Sequence, residues 1–161
     1  MEKFNLVYIM VYYYLLKEIN QNLSQKVIGT HKGLAKIGDE LVNFVYSVAK
    51  SVYLTKNSAN NKAILTSKKV GKNILANALK AADMKSFAKN RADAHDLADS
   101  VEAIIGYAWL SKKMQIEELI NFLANNFEGN LYDRNEEIKQ AQEVFVKLLI
   151  HIKPYLPENE L

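Results

Sequence analysis

Apolar residues recur every three to four positions along most of the chain, the spacing of helices that bury one face. From His31 to Thr55 the apolar residues share one face, and Asp39 points nearly opposite to them. From Ala92 to Lys113, Asp99 and Glu102 lie one turn apart on the side away from the apolar stripe. The pattern predicts helices over about Asn5–Asn22, His31–Thr55, Ser67–Ala82, Ala92–Lys113, Ile116–Asn126 and Asp133–Tyr155.

Glycine and proline are too rare for a protein rich in strands and turns. The 161 residues include six glycines and two prolines, and both prolines fall in the last eight positions. We therefore expect an all-α fold with one helical domain over residues 1–161, built from about six to seven helices. Ser67 is the predicted cap of the third helix, and Pro154 helps to end the last one.

The N-terminal segment, residues 1–25, is unusually aromatic. Its apolar run from Leu6 to Leu16 is shorter than the roughly 20 residues of a membrane-spanning helix and contains four tyrosines. We expect no membrane span. The apolar side chains surround this helix, which predicts either a central core helix or a surface covered by a second subunit. They are Tyr8, Ile9, Met10, Tyr12, Tyr13, Tyr14, Leu15 and Leu16.

Composition narrows the chemistry to oxygen ligands. The chain has no cysteine, so disulfides, thiolate metal sites and cysteine nucleophiles are excluded. Its three histidines, His31, His95 and His151, are too scattered for a zinc motif. A hard ion such as Mg²⁺ is the better match to the abundant carboxylates. The chain start also lacks a secretory signal pattern, and we expect a mature cytoplasmic protein.

One segment is strongly basic although the whole chain carries a net charge of only +3. Between positions 62 and 91 a single acid, Asp83, stands against eight basic residues. Such a segment suits a polyanion such as RNA, although lysines on solvated helix faces produce the same pattern. The eight are Lys62, Lys68, Lys69, Lys72, Lys80, Lys85, Lys89 and Arg91.

The acidic residues admit two interpretations. Carboxylates three residues apart on a helix repel each other, and a divalent cation between them would relieve that repulsion. Lysine side chains or the positive end of the helix dipole would do so equally well. Taken alone, Asp39, Asp99 and Glu102 are therefore also compatible with ordinary solvated helix surfaces.

In combination, these stretches resemble the catalytic domain of ribonuclease III. The first family signature, an aliphatic residue followed by Gly-Asp, is matched by Ile37-Gly38-Asp39. The second, Asp-x-x-Glu-Ala followed by two hydrophobic residues and Gly, is matched by Asp99, Glu102, Ala103, Ile104, Ile105 and Gly106. Between the two signatures, the segment from Lys68 to Lys72, with Leu75 and Ala76, looks like the family's Val-Ser segment. The resemblance spans about Lys32 to Lys113.

One position departs from the larger family. A glutamate that serves there as a further metal ligand, four residues before the Gly-Asp aspartate, is replaced here by Ala35. The stretch from Leu34 to Asp39 is similar to the Mini-ribonuclease III branch, which has alanine at this place and no double-stranded RNA-binding domain. An archaeal-type ribonuclease III is the alternative branch. The difference bears on the number of metal ions or the strength of their binding.

The resemblance implies a homodimeric endoribonuclease that cuts double-stranded or structured RNA. Asp39, Asp99 and Glu102 would hold Mg²⁺, or Mn²⁺ in its place, and would be the catalytic residues. We expect Lys68, Lys69 and Lys72 to bind RNA, with Lys68 and Lys72 on one helix face. Two alternatives remain: a catalytically silent RNA-binding or ribosome-associated module, favoured by Ala35, and an unrelated helical interaction protein.

Overall fold

Helices are the only regular secondary structure in the described part of the chain. The structure, a computed structural model, describes the backbone of residues 2–159 and the side chains of residues 12–159, and it contains no strand within those limits. The all-α prediction is confirmed. Seven α-helices fall within this range: α1 Glu2–Gln21, α2 Gln25–Gly29, α3 Lys32–Lys56, α4 Lys72–Ala81, α5 Ala94–Leu110, α6 Ile116–Asn126 and α7 Arg134–Ile152. Short 3-10 turns cover Lys85–Phe87 and Lys153–Tyr155.

Helix α5 is the centre of the domain. It packs against α2, α3 and α4, while α6 covers α3 and α7 covers α4. Its residues from Leu97 to Ala108 are buried on nearly every side, with Asp99 the most exposed of them. The Asp93 side chain caps α5 by accepting a hydrogen bond from the backbone N–H of Asp96. The Asp96 side chain accepts one from the backbone N–H of Asp93, which completes a capping box. These two acids therefore stabilise the N-terminal end of α5.

The third predicted helix begins later than expected. Ser67 does not cap it, because α4 starts at Lys72 after Gly71, and the chain before it is extended. Polar side chains four residues apart on α3 accept hydrogen bonds from the backbone N–H of alternate residues in that extended segment. This polar ladder pairs Asn43 with Val70, Ser47 with Lys68, Ser51 with Thr66 and Thr55 with Ile64, at 2.8–3.0 Å.

The ladder has a simple geometric cause. Four residues of α-helix rise about 6 Å, and two residues of extended chain advance about 6.6 Å, so the two spacings nearly match. The extended segment thereby places its backbone donors on α3 without forming a sheet, and buried N–H groups are satisfied. Lys68 therefore lies in the extended segment and not on the helix that carries Lys72, which corrects the prediction that the two share a helix face.

Two apolar side chains predicted for the core of α3 are exposed. Ile37 is 39% exposed and Phe44 is 54% exposed, whereas Leu34, Leu41 and Val45 are buried as expected. Ile37 and Phe44 are seven residues apart and so share one stripe on α3. The α3 helix therefore has an apolar stripe at the surface in addition to its buried face.

The N-terminal helix α1 buries one face where its side chains are described. Leu16 and Ile19 are buried, and the Tyr12 ring contacts the Trp109 ring edge-on at 5.7 Å. Tyr13, Tyr14 and Leu15 are more than half exposed, so this part of α1 is not a helix buried on all sides. Tyr8, Ile9 and Met10 lie outside the described side chains. Within residues 2–159, no helix is both long enough and apolar enough to cross a membrane.

Candidate active site

Helices α3 and α5 meet backbone to backbone through two glycines. A Cβ atom built on Gly38 would lie 1.8 Å from the carbonyl oxygen of Glu102, and one on Gly106 would lie 2.9 Å from the carbonyl oxygen of Leu34. Any larger residue at Gly38 would collide with main-chain atoms that have no freedom to move aside. The close approach brings Asp39, the residue after Gly38, next to Glu102.

Glu102 is a buried carboxylic acid. Only 5% of the residue is exposed, which corrects the prediction that it lies on the solvent side of its helix. Burial, and after it the charges of Asp39 and Asp99, raise the pKa of Glu102 to about 7. A hydrogen bond with the Asp39 side chain also favours the protonated form, and only Lys72 opposes these effects. At neutral pH Glu102 is therefore poised between its protonated and ionised forms.

Asp39 is half-buried and is held by Asn43. The Asn43 amide nitrogen donates to Asp39 Oδ1 at 3.0 Å and to the Asp39 carbonyl oxygen at 2.8 Å. The amide oxygen of Asn43 accepts from the backbone N–H of Val70 at 2.8 Å. Both ends of the Asn43 amide are thus engaged, so this residue orients Asp39 and ties the site to the extended segment.

Asp99 faces two lysines. Its Oδ2 atom lies 3.0 Å from Lys32 Nζ and its Oδ1 atom lies 3.6 Å from Lys72 Nζ. Lys72 Nζ also lies 3.2 Å from His95 Nε2. The Asp99 side chain is 19% exposed, and the side chains of Lys32 and Lys72 are 72% and 46% exposed, so both cations that balance its charge can move away into solvent. Its charge still reaches Glu102, whose pKa it helps to raise.

These residues fit a hard cation. Asp39 and Glu102 offer adjacent carboxylate oxygens, the ligands preferred by Mg²⁺ and Mn²⁺. A cation would offset the repulsion between the two carboxylates, which adds to burial in raising the pKa of Glu102. Within the described part of the chain, no three His, Asp or Glu side chains are already arranged to hold a metal ion. A third contact from Asp99 would require that carboxylate to exchange a lysine for the cation.

Comparison with known protein families identifies the family of this chain. A sequence model of the family described as Ribonuclease III matches residues 32–156, most of the chain and all of the residues above. The chain belongs to the ribonuclease III family. A search among curated proteins gave no match. The family prediction is confirmed, whereas membership of the Mini-ribonuclease III branch stays a prediction.

Ala35 lies at the edge of this ribonuclease III site. The residue is buried, and beside it is a cavity of about 100 Å³ that is also lined by Asp99, Asp96, Lys32 and Lys89. A side chain longer than alanine at position 35 would border this cavity, which Asp99 also lines. In this chain, Lys32 contacts Asp99 there.

The predicted RNA-binding lysines do not all belong to the carboxylate cluster. Lys72 contacts Asp99, whereas Lys68 and Lys69 lie on the extended segment and make no ion pair within residues 12–159. Sequence reasoning missed the contact of Asn43 with Asp39 and that of Lys32 with Asp99, which lies 67 positions away. The four-residue spacing of Asp39 and Asn43 on one helix could have indicated their contact, whereas no signal in the sequence pointed to the contact of Lys32 with Asp99.

Proposed function

We propose that this ribonuclease III family member is a metal-dependent endoribonuclease that hydrolyses phosphodiester bonds in double-stranded or structured RNA. The observation that carries the proposal is the buried Glu102, with a pKa of about 7, against Asp39. Without a bound cation, this pair of carboxylates would only destabilise the fold, because burying a charge costs free energy. Perturbed acids beside a basic surface are typical of functional sites.

In this proposal Asp39, Asp99 and Glu102 hold Mg²⁺, or Mn²⁺ in its place, and form the catalytic set. The bound ion would polarise the scissile phosphate and lower the pKa of attacking water. Asn43 keeps Asp39 in place, and Lys32 and Lys72 balance Asp99 until the cation arrives. Lys72 lies at the edge of the site, where it can also meet a phosphate oxygen of the RNA.

RNA would lie along the basic segment that contains Lys68 and Lys69. A-form RNA is recognised chiefly through its shape, phosphates and 2′-hydroxyl groups, so little sequence preference is expected. We further propose a homodimer, in which two sites face one duplex and each cuts one strand. The exposed stripe with Ile37 and Phe44 supports this, because it lies on the helix that carries Asp39. A cytoplasmic location is part of the same proposal.

A second candidate is a catalytically silent RNA-binding module. It is favoured by Ala35 and by the two lysines on Asp99, because both reduce the negative charge available to a metal ion. Such a module would bind duplex RNA and leave it intact. Its weakness is Glu102, which a protein without a cation has no electrostatic reason to bury beside Asp39.

The decisive experiment incubates the purified protein with a labelled RNA duplex and Mg²⁺ and follows the products on a denaturing gel. Asp39→Asn should reduce the cleavage rate by several orders of magnitude, and EDTA should abolish cleavage. Glu40→Gln is the matched control, since Glu40 is an exposed acid adjacent to Asp39. Cleavage that persists in EDTA would remove the metal mechanism, and tight RNA binding without cleavage would favour the silent module.

A further inference from the structure

A second concave site lies next to the carboxylate cluster. It is a cavity of about 420 Å³ between the end of the extended segment and the first turns of α7. We call it the basic cavity, because four cationic side chains line it: Lys68, Lys69, Lys72 and Arg134. Lys72 also contacts Asp99, but Asp39, Asp99 and Glu102 do not line the basic cavity. Its volume is in the range of small-molecule binding sites.

The floor of the basic cavity is electrically balanced. Glu137 is its only acid, and the Glu137 carboxylate accepts hydrogen bonds from Lys50 at 2.6 Å and from the Tyr46 hydroxyl at 3.3 Å. Burial and the neighbouring Glu137 raise the pKa of Tyr46, so its hydroxyl stays protonated and donates. Because Lys50 already neutralises Glu137, the Glu137 carboxylate does not neutralise the cations that line the cavity.

The rim of the basic cavity is an unsatisfied cationic surface. Lys68, Lys69 and Arg134 make no ion pair with any residue among positions 12–159. Ile74 and Ile138 add apolar wall, and the exposed Asn73 lines the cavity with an amide that has no hydrogen-bond partner in the same range. Cations, apolar wall and a free amide are the groups that recognise a phosphate, a flat ring and the polar edge of a base.

We propose that the basic cavity binds a nucleoside monophosphate group, either as one unpaired nucleotide of an RNA chain or as a free nucleotide. The RNA source rests on the proposed function, and the free source does not. A paired duplex is too wide to enter a cavity of this size, whereas one unstacked nucleotide can. Lys68, Lys69 and Arg134 would hold the phosphate, and Ile74, Ile138 and Asn73 would contact the base.

Isothermal titration of the purified full chain with AMP tests the proposal. AMP should bind at least tenfold more tightly than adenosine or inorganic phosphate. Replacing Lys69→Gln and Arg134→Gln together should weaken AMP binding at least tenfold, as should Ile138→Trp, which fills the cavity. Lys80→Gln with Lys147→Gln is the control of equal charge on exposed positions of α4 and α7 outside the cavity, and it should leave AMP binding unchanged.

The sources are separated by competition against AMP. A duplex with a single-stranded 3′ extension that displaces AMP at least tenfold more effectively than a blunt duplex identifies the RNA nucleotide. Displacement by the extended duplex no stronger than by the blunt duplex identifies the free nucleotide, because both duplexes then compete only for Lys68 and Lys69. Equal weakening in the control variant, or affinity for AMP no greater than for phosphate, would overturn the proposal. The Asp39→Asn variant should bind AMP normally, because Asp39 does not line the basic cavity. Failure of the proposed nuclease function would therefore not affect the proposal for the basic cavity.

Discussion

Gly38 touches the backbone of Glu102, and this contact sets how closely α3 and α5 approach. Replacing Gly38 by alanine would place a methyl group 1.8 Å from the Glu102 carbonyl oxygen, and the helices would have to separate. We expect Gly38→Ala to cost about 3 kcal/mol or more of unfolding free energy, measured by urea denaturation. RNA cleavage should fall as well, because Asp39 and Glu102 would move apart.

Gly71→Ala is the control for that substitution. A Cβ on Gly71 would meet only the end of the Ile74 side chain at 3.8 Å, and the backbone φ of −68° suits any residue. We expect it to cost less than about 1 kcal/mol. Equal destabilisation by the two substitutions would show that the close contact of the two helices does not determine the stability.

The pKa of Glu102 predicts an unusual pH dependence for the metal-free protein. Its folded-state value of about 7, above the ordinary 4.5, means that the folded chain keeps a proton that the unfolded chain releases. Stability from this group is therefore present at low pH and is lost as pH rises from about 4.5 through 7. Glu102→Gln removes the loss and should stabilise the metal-free protein at pH 8 by on the order of 2 kcal/mol.

Thermal unfolding in EDTA at pH 5 and pH 8 measures this effect. The variant and the natural protein should unfold at similar temperatures at pH 5 and diverge at pH 8, and Glu40→Gln should follow the natural protein throughout. Added Mg²⁺ should raise the unfolding temperature of the natural protein at pH 8 and have little effect on Glu102→Gln. A natural protein as stable as the variant at pH 8 without metal would contradict the burial of an ionised Glu102.

The residues of the candidate site could be selected from the sequence, because Gly38-Asp39 and the Asp99–Glu102 pair are short motifs on single helices; their role as a site stays a prediction. Their surroundings could not be predicted in the same way. Periodicity placed Glu102 on a polar face, but other helices cover α5 on nearly all sides, and that depends on the whole fold. The helical assignment of Lys68 failed for a related reason: its backbone N–H bonds to Ser47, 21 positions away.

The polar ladder gives a direct test of that long-range pairing. Ser47→Ala removes the acceptor for the Lys68 backbone N–H, so it should cost about 1 kcal/mol of unfolding free energy and speed amide hydrogen exchange at Lys68. Ser67→Ala is the control, because Ser67 is exposed and caps no helix. It should change stability by less than about 0.5 kcal/mol. A larger loss in Ser67→Ala than in Ser47→Ala would restore the helix-cap interpretation.

The proposed dimer predicts that the exposed stripe on α3 is covered in solution. Phe44→Glu should convert a dimer into a monomer at micromolar concentration in analytical ultracentrifugation, because it places a charge in an apolar contact. Tyr14→Glu tests the exposed aromatic surface of α1 as the alternative contact, and Tyr132→Glu is a control on an exposed tyrosine between α6 and α7. A protein that is monomeric before any substitution, and still cuts both strands at once, would rule out the dimer.

The proposed RNA surface predicts a change in salt dependence without a change in sequence preference. Lys68→Gln with Lys69→Gln should weaken binding to unrelated duplexes alike and should lower the slope of log affinity against log salt by about two. Lys72 is kept, because its loss would also disturb Asp99. Lys139→Gln with Lys147→Gln removes the same charge from exposed positions of α7 and should leave the slope nearly unchanged. If the two pairs lower the slope equally, RNA is held by overall charge, and the extended segment is not its binding surface.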